Sequence, residues 1–261
     1  MTTGGLRVEI DDGVALWTID RPGGRTAASP ALLSDLLEAA QDAAADDRVR
    51  VVVTAATGRT WCGAASPGRA ATRTDRSKAA QPAGVDPRRW VPAFRALEKP
   101  LVAAVDGAVA GGGFALFLLH DVRIASERAC FTAGFANLGV GPELGLSWFL
   151  PRLVGPGAAA DLLLTGRVVD ADQAHSLGLV QRITPGGRAT EEALFYAARL
   201  ARLSPPAARA TVAALRGALD RPLDAQLEVE WRNGAGCSAA ASDERRARVH
   251  QLLARMAPEA S

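Results

Sequence analysis

The run Lys99-Pro-Leu-Val-Ala-Ala-Val-Asp-Gly-Ala-Val-Ala-Gly-Gly-Gly-Phe-Ala-Leu holds the residues best suited to chemistry, three consecutive glycines at Gly111, Gly112 and Gly113. Glycine admits backbone bends closed to other residues and lets a ligand come close to the main chain. A helix opening at such a bend presents unpaired N–H groups and the positive end of its dipole. The turn can therefore hold an anion, including one that exists only in a transition state. The same glycines equally suit a turn whose only task is tight strand-to-helix packing. Two phosphate-binding patterns are excluded: a dinucleotide fingerprint needs glycine where Leu116 stands, and a P-loop needs lysine where Gly113 stands.

Other chemistries find less support. Cys62, Cys130 and Cys237 show no C-x-x-C spacing, and His120, His175 and His250 show no H-x-x-x-H pairing, so neither a metal site nor a disulfide framework is expected. Ser66 and Ser147 lie near glycines without completing G-x-S-x-G, and no histidine is placed as their base.

The glycine turn needs a strand before it and a helix after it. Leu101 to Val105 reads as a buried strand and Phe114 to Leu119 as the opening of a buried helix. Upstream, Arg7 to Ile10 and Val14 to Ile19 flank Asp11-Asp12-Gly13 as a β-hairpin. Leu32, Leu33, Leu36, Leu37 and Ala40 recur at helical spacing behind Ser29 as N-cap and Pro30. Val51 to Ala55 and Val122 to Ala125 are further strands, and the alternation argues an α/β fold. From Ser66 to about Arg89 the pattern breaks into a loop with Arg69, Arg73, Arg76, Lys78, Arg88 and Arg89, either a solvated insertion or a cover over an anionic ligand.

Beyond Pro151 strand signals fade, and 157–164, 171–177, 191–203, 207–219 and 243–256 read as helices, with Asp170 and Gln173 as a capping pair. The expected organisation is a core over 1–195 and a helical region over 196–261. With 261 residues, 48% hydrophobic and 22% charged, the composition is that of an ordinary globular protein. Thirty Lys+Arg against 28 Asp+Glu give a net charge of +2, which points to neither nucleic acid nor membrane as partner. The start Met1-Thr-Thr-Gly-Gly-Leu-Arg has no apolar signal core and no stretch approaches a transmembrane span, so cytoplasmic residence is expected.

Several segments in order carry a resemblance: Arg21-Pro with Arg25-Thr-Ala-Ala-Ser, Trp61-Cys-Gly-Ala-Ala, Lys99-Pro through Gly111-Gly-Gly, and His120-Asp-Val-Arg-Ile-Ala. Leu138-Gly-Val-Gly-Pro-Glu-Leu-Gly, Leu150-Pro-Arg-Leu-Val-Gly, Leu164-Thr-Gly-Arg and Ala174-His-Ser-Leu-Gly-Leu-Val complete the series. From about Leu6 to Ile183 the chain resembles the crotonase (enoyl-CoA hydratase/isomerase) superfamily. The resemblance implies a core of repeated ββα units with a helical C-terminal region, homotrimers or hexamers, and acyl-coenzyme A thioesters as substrates. It implies no cofactor beyond the coenzyme A of the substrate itself.

By position, the resemblance assigns the two amides that bind the thioester oxygen to Ala65 and Gly112. Two such donors aimed at a developing enolate supply roughly 3–4 kcal/mol each in a dry site. The first turn departs from the family pattern, with Gly63-Ala-Ala-Ser where Ala-Gly-Ala-Asp is usual. The two glutamates of the family's hydratases are replaced by Ala115 and Phe135, which removes both groups of the hydration route. An acidic residue does stand at Glu143, where the resemblance to some isomerases and to chlorobenzoyl-CoA dehalogenase implies a base or a nucleophile. Its neighbours Phe135, Leu144, Leu146 and Trp148 are apolar and would raise its pKa toward neutrality, as suits a group that takes and returns a proton.

The expected reaction is double-bond isomerisation through a thioester enolate. Hydrolysis, decarboxylation or dehalogenation using Glu143 as nucleophile is the alternative, as is a silent acyl-CoA binder. Arg21 and Arg25 are the expected partners of the coenzyme A phosphates, with the loop arginines and Arg245 and Arg246 as further candidates. His120 is expected to be a packed core histidine and Asp121 a structural hydrogen-bond partner.

Overall fold

Asp12 and Gly13, both at positive φ, turn the chain between two antiparallel strands in the computed structural model. That model describes residues 2–3, 5–20, 27–63 and 85–238, together with 247 and 249. The short β1 (Thr2–Thr3) pairs with β2 (Leu6–Asp11), and β2 with β3 (Val14–Ile19). Helix α1 (Pro30–Ala45) begins as its sequence predicts: the Leu32 N–H donates to Ser29 Oγ at 3.3 Å, and Pro30 occupies the first turn.

A strand-strand-helix unit then recurs. Strands β4 (Val51–Ala56) and β5 (Thr60–Cys62) precede α2 (Pro87–Arg95), and β6 (Leu101–Val105) and β7 (Ala108–Ala110) precede α3 (Gly112–Leu118). Next come β8 (Val122–Ser126) and β9 (Cys130–Thr132), followed by α4 (Leu146–Val154) and α5 (Pro156–Thr165). After them come β10 (Val169–Asp170), α6 (Ala171–Ser176), β11 (Arg182–Thr184) and α7 (Ala189–Ala201). Within each unit the first strand joins a seven-stranded sheet, ordered β1-β2-β3-β4-β6-β8-β11. The second joins a four-stranded sheet, ordered β10-β9-β7-β5. Pairing is parallel from β3 to β11 in the large sheet and from β5 to β9 in the small one. This is the expected α/β fold.

The central strands read as unbroken apolar runs because both faces of the large sheet are covered. Val52, Leu101, Ala103 and Val105 enter the main core, while Val51, Val53, Val102 and Ala104 face a second core closed by Ala193 and Ala197 of α7. Helix α3 is buried at all of its residues. Its Phe114 and Phe117 pack against Phe131 of the small sheet, with centroids 6.3 and 5.0 Å away, and Phe117 meets Trp61 at 6.1 Å. These aromatic contacts pin the helix, and therefore the glycine turn that opens it.

Two helices correct the sequence reading. The loop expected to run to about Arg89 ends earlier, because Asp86 accepts the Arg88 N–H at 3.0 Å and starts α2 at Pro87. Arg88 is also held by the Asp86 carboxylate, at 2.8 Å. An internal proline, Pro92 in α2 and Pro151 in α4, hides both short helices from a periodicity argument. The remainder of the expected loop, residues 66–84, lies outside the described residues.

By its contacts the chain divides into two compact units, Met1–Leu203 and Ser204–Ser261. The expected division between 195 and 196 falls inside α7. The second unit is helical, with α8 (Pro205–Gly217) tied to α9 (Leu223–Ser238) by Gln226 Nε2 donating to Ala214 O at 3.3 Å. The helix expected over 243–256 lies outside the described residues except at 247 and 249. No described helix is long and apolar enough to cross a membrane.

Candidate active site

Each glycine of the turn meets a different demand. Gly111 takes φ +56° and ψ −125°, a conformation that excludes other residues, and its N–H donates to Thr132 O at 3.1 Å. A Cβ on Gly113 would lie 2.1 Å from the carbonyl oxygen of Cys62, so α3 abuts the end of β5 at a distance that only glycine permits. A Cβ on Gly112 would lie 3.0 Å from Ala28 Cβ and 3.8 Å from Leu144 Cδ1. Phe114 and Ala115 donate back to Gly111 O, whereas the Gly112 N–H has no acceptor among the described residues. With seven residues α3 offers single amides rather than a long dipole.

Three other chain segments converge on this turn. Ala27 bridges Gly63, and the Ala28 N–H donates to Gly63 O at 3.1 Å, joining the chain after β3 to the chain after β5. Gly63 follows Cys62, which touches Gly113. The third segment is Gly141 to Gly145. There Leu144 is buried against the turn and belongs to the main core. It adopts φ +52°, which costs a leucine about 1–2 kcal/mol.

Glu143 precedes Leu144 and is half-buried; its carbonyl accepts the Leu146 N–H at 3.0 Å, and burial pushes its carboxyl above the usual glutamate range. Phe135, at one of the two hydratase positions, is buried at 7% exposed. Ala115 is fully buried inside α3. Neither can transfer a proton.

Polar residues of the recurring motifs do structural work nearby. The His120 ring is buried, with Nδ1 3.1 Å from Leu116 O and Nε2 3.1 Å from Thr54 Oγ1. A carbonyl can only accept, so Nδ1 carries the proton and Nε2 accepts from the Thr54 hydroxyl. Burial lowers the histidine's pKa to about 4 and keeps it neutral. The Asp121 carboxylate accepts the Leu101 N–H at 2.8 Å. Arg123 is buried and donates to Leu179 O and His120 O, each at 2.6 Å. Lys99 donates to Ala43 O and to Asp46 O, the latter at 2.7 Å, capping α1.

Of the residues expected to carry function, Gly112 and Glu143 are described, and Leu144 links them. Ala65, Arg21 and Arg25 lie outside the described residues, as do Arg245 and Arg246. No cluster of His, Cys, Asp or Glu suited to a metal ion occurs among the described residues. The contacts of Leu144 and Ala28 with the turn are absent from the sequence reading. Glycines at 141 and 145 were the one local sign that Leu144 sits in an irregular segment.

Comparison with known proteins identifies the family. The family model described as enoyl-CoA hydratase/isomerase matches residues 9–250. The chain is 33% identical over 254 residues to the 2,3-dehydroadipyl-CoA hydratase of Escherichia coli, covering 97% of each protein. It is 29% identical over 256 residues to the 1,2-epoxyphenylacetyl-CoA isomerase of the same bacterium, covering 96% of this chain and 95% of that one. Among solved structures, an enoyl-CoA hydratase/isomerase from Cupriavidus metallidurans superposes with a TM-score of 0.81 at 29% identity, covering 98% of this chain and 95% of that one. A family match over nearly the whole length, on a fold of repeated strand-strand-helix units, makes the chain a member of the enoyl-CoA hydratase/isomerase family of acyl-CoA enzymes.

Proposed function

We propose that the protein isomerises the double bond of an enoyl-CoA by moving a proton through a thioester enolate. The supporting observation is that Glu143, its pKa raised by burial, adjoins the residue packed on Gly112, while the hydratase positions hold Ala115 and Phe135. In this reading the Gly112 amide, with that of Ala65, donates to the thioester oxygen. The Glu143 carboxylate removes a proton from the α-carbon of a 3-enoyl thioester, and the electron pair moves through the carbonyl onto that oxygen. The protonated Glu143 then delivers the same proton to the γ-carbon, giving the 2-enoyl thioester. No redox partner or further cofactor enters, and coenzyme A is part of the substrate, its phosphates met by Arg21 or Arg25. One relative's name as an isomerase is consistent with this reading, although hydratase names are more numerous.

Assembly into a homotrimer or hexamer belongs to the same proposal. On α9 Leu223, Leu227 and Trp231 recur every four residues and are exposed, an apolar face suited to a second copy.

The test pairs Glu143→Gln with a panel of 3-enoyl-CoA esters and with deuterium exchange at the α-carbon. Loss of both by about 100-fold or more is expected for removal of a proton-transfer group. Unchanged exchange would remove Glu143 from the mechanism. A covalent ester on Glu143 seen by mass spectrometry would replace proton transfer with nucleophilic attack, and tight binding without turnover would leave a non-catalytic binder.

A further inference from the structure

We propose that Leu144 is a positioning residue, whose buried side chain clamps the segment bearing Glu143 onto the glycine turn at Gly112. The inference rests on the reading of Glu143 as the base and assigns what holds it in place. Among the described residues only Asp12 and Leu144 combine a side chain with positive φ. Asp12 does so in a two-residue hairpin turn, where a short polar side chain tolerates the left-handed region. Leucine has no such compensation, and its strain persists only where surrounding structure determines it.

That surrounding structure is visible on both sides. Leu144 is 4% exposed and lies in the main core, and its Cδ1 is 3.8 Å from where a Gly112 Cβ would stand. Gly145 follows at φ +78° and opens α4, while the Leu146 N–H returns to Glu143 O at 3.0 Å. Two successive left-handed residues thus turn the chain so that one side chain goes inward and the glutamate before it stays half-exposed. Glycine at 144 would adopt this backbone without strain. What leucine adds is an apolar side chain that fixes the segment, and with it the half-buried setting of Glu143. Burial is the cause of that group's displaced titration, and no charged side chain among the described residues contributes to it.

The experiment compares Leu144→Gly, Leu144→Ala and Leu144→Met in the full chain. Glu143 is titrated by carboxyl ¹³C NMR, its signal assigned by loss in Glu143→Gln, alongside kcat, KM and thermal melting. In the glycine and alanine variants the Glu143 titration is expected to fall toward the ordinary glutamate range. Their kcat drops about tenfold or more while KM stays within about threefold, and the methionine variant keeps both near the parent. Unmoved titration and kcat in whichever of the two small variants folds would overturn the proposal, as would a methionine variant as impaired as they are. Exchange surviving in Glu143→Gln defeats the base instead. The titration then still decides whether Leu144 holds that carboxyl.

Discussion

Glu143 and His120 are both titratable groups displaced by burial, and the completeness of their hydrogen bonding separates their tasks. Both ring nitrogens of His120 are matched to protein partners, and its pKa of about 4 keeps it neutral. The unfolded chain takes up a proton near 6.5 while the folded chain resists until about 4, so this contribution to stability is present above 6.5 and lost as pH falls toward 4. His120→Gln should therefore flatten the fall of melting temperature between those values; an unchanged slope would contradict it. Glu143 has its carboxyl raised rather than locked. On the proposed role of Glu143 as base, which must be ionised to act, kcat/KM should decline as pH falls, with a limb above the ordinary glutamate range that disappears in Glu143→Gln. His120 as a packed residue was legible from residue type, and Asp121 as a hydrogen-bond partner from the resemblance. The φ of Leu144 was not, because nothing local favours it and its packing against Gly112 is a contact between segments distant in the chain.

The unit that carries Gly112 is strand β7, the glycine turn and α3. Its central constraint is steric: the Cβ of Gly113→Ala would meet the Cys62 backbone oxygen 2.1 Å away, which neither strand nor helix can yield without separating. That substitution should lower the melting temperature by many degrees or prevent folding. Gly139→Ala, at φ +71° in open space, should cost only about 1–2 kcal/mol, or a few degrees for a chain of this size. Equal shifts would show that the close approach of α3 to β5 is not what requires glycine. Long elements were readable where burial imposed a pattern, as in α1 and the apolar runs of β4 and β6. The small sheet escaped notice because its strands span two or three residues, too few for alternation to register.

At the scale of the molecule, the apolar face of α9 is a prediction about assembly. Trp231→Glu should reduce the mass observed by sedimentation below that of the parent, and an unchanged mass would show that this face is not the contact. Repetition of the strand-strand-helix unit brings the ends of β5 and β7 together, so that chain segments distant in sequence meet around one amide. That convergence was legible only through the resemblance, since parallel pairing between separated strands leaves no local trace. Whether the Gly112 amide and Glu143 act on one thioester is decided by the structure of a complex with a non-reactive 3-enoyl-CoA analogue. The thioester oxygen is expected about 3 Å from the Gly112 nitrogen, with the Glu143 carboxyl against the α- and γ-carbons. A thioester bound away from that amide, or a Glu143 carboxyl turned from the acyl chain, would contradict the proposed reaction.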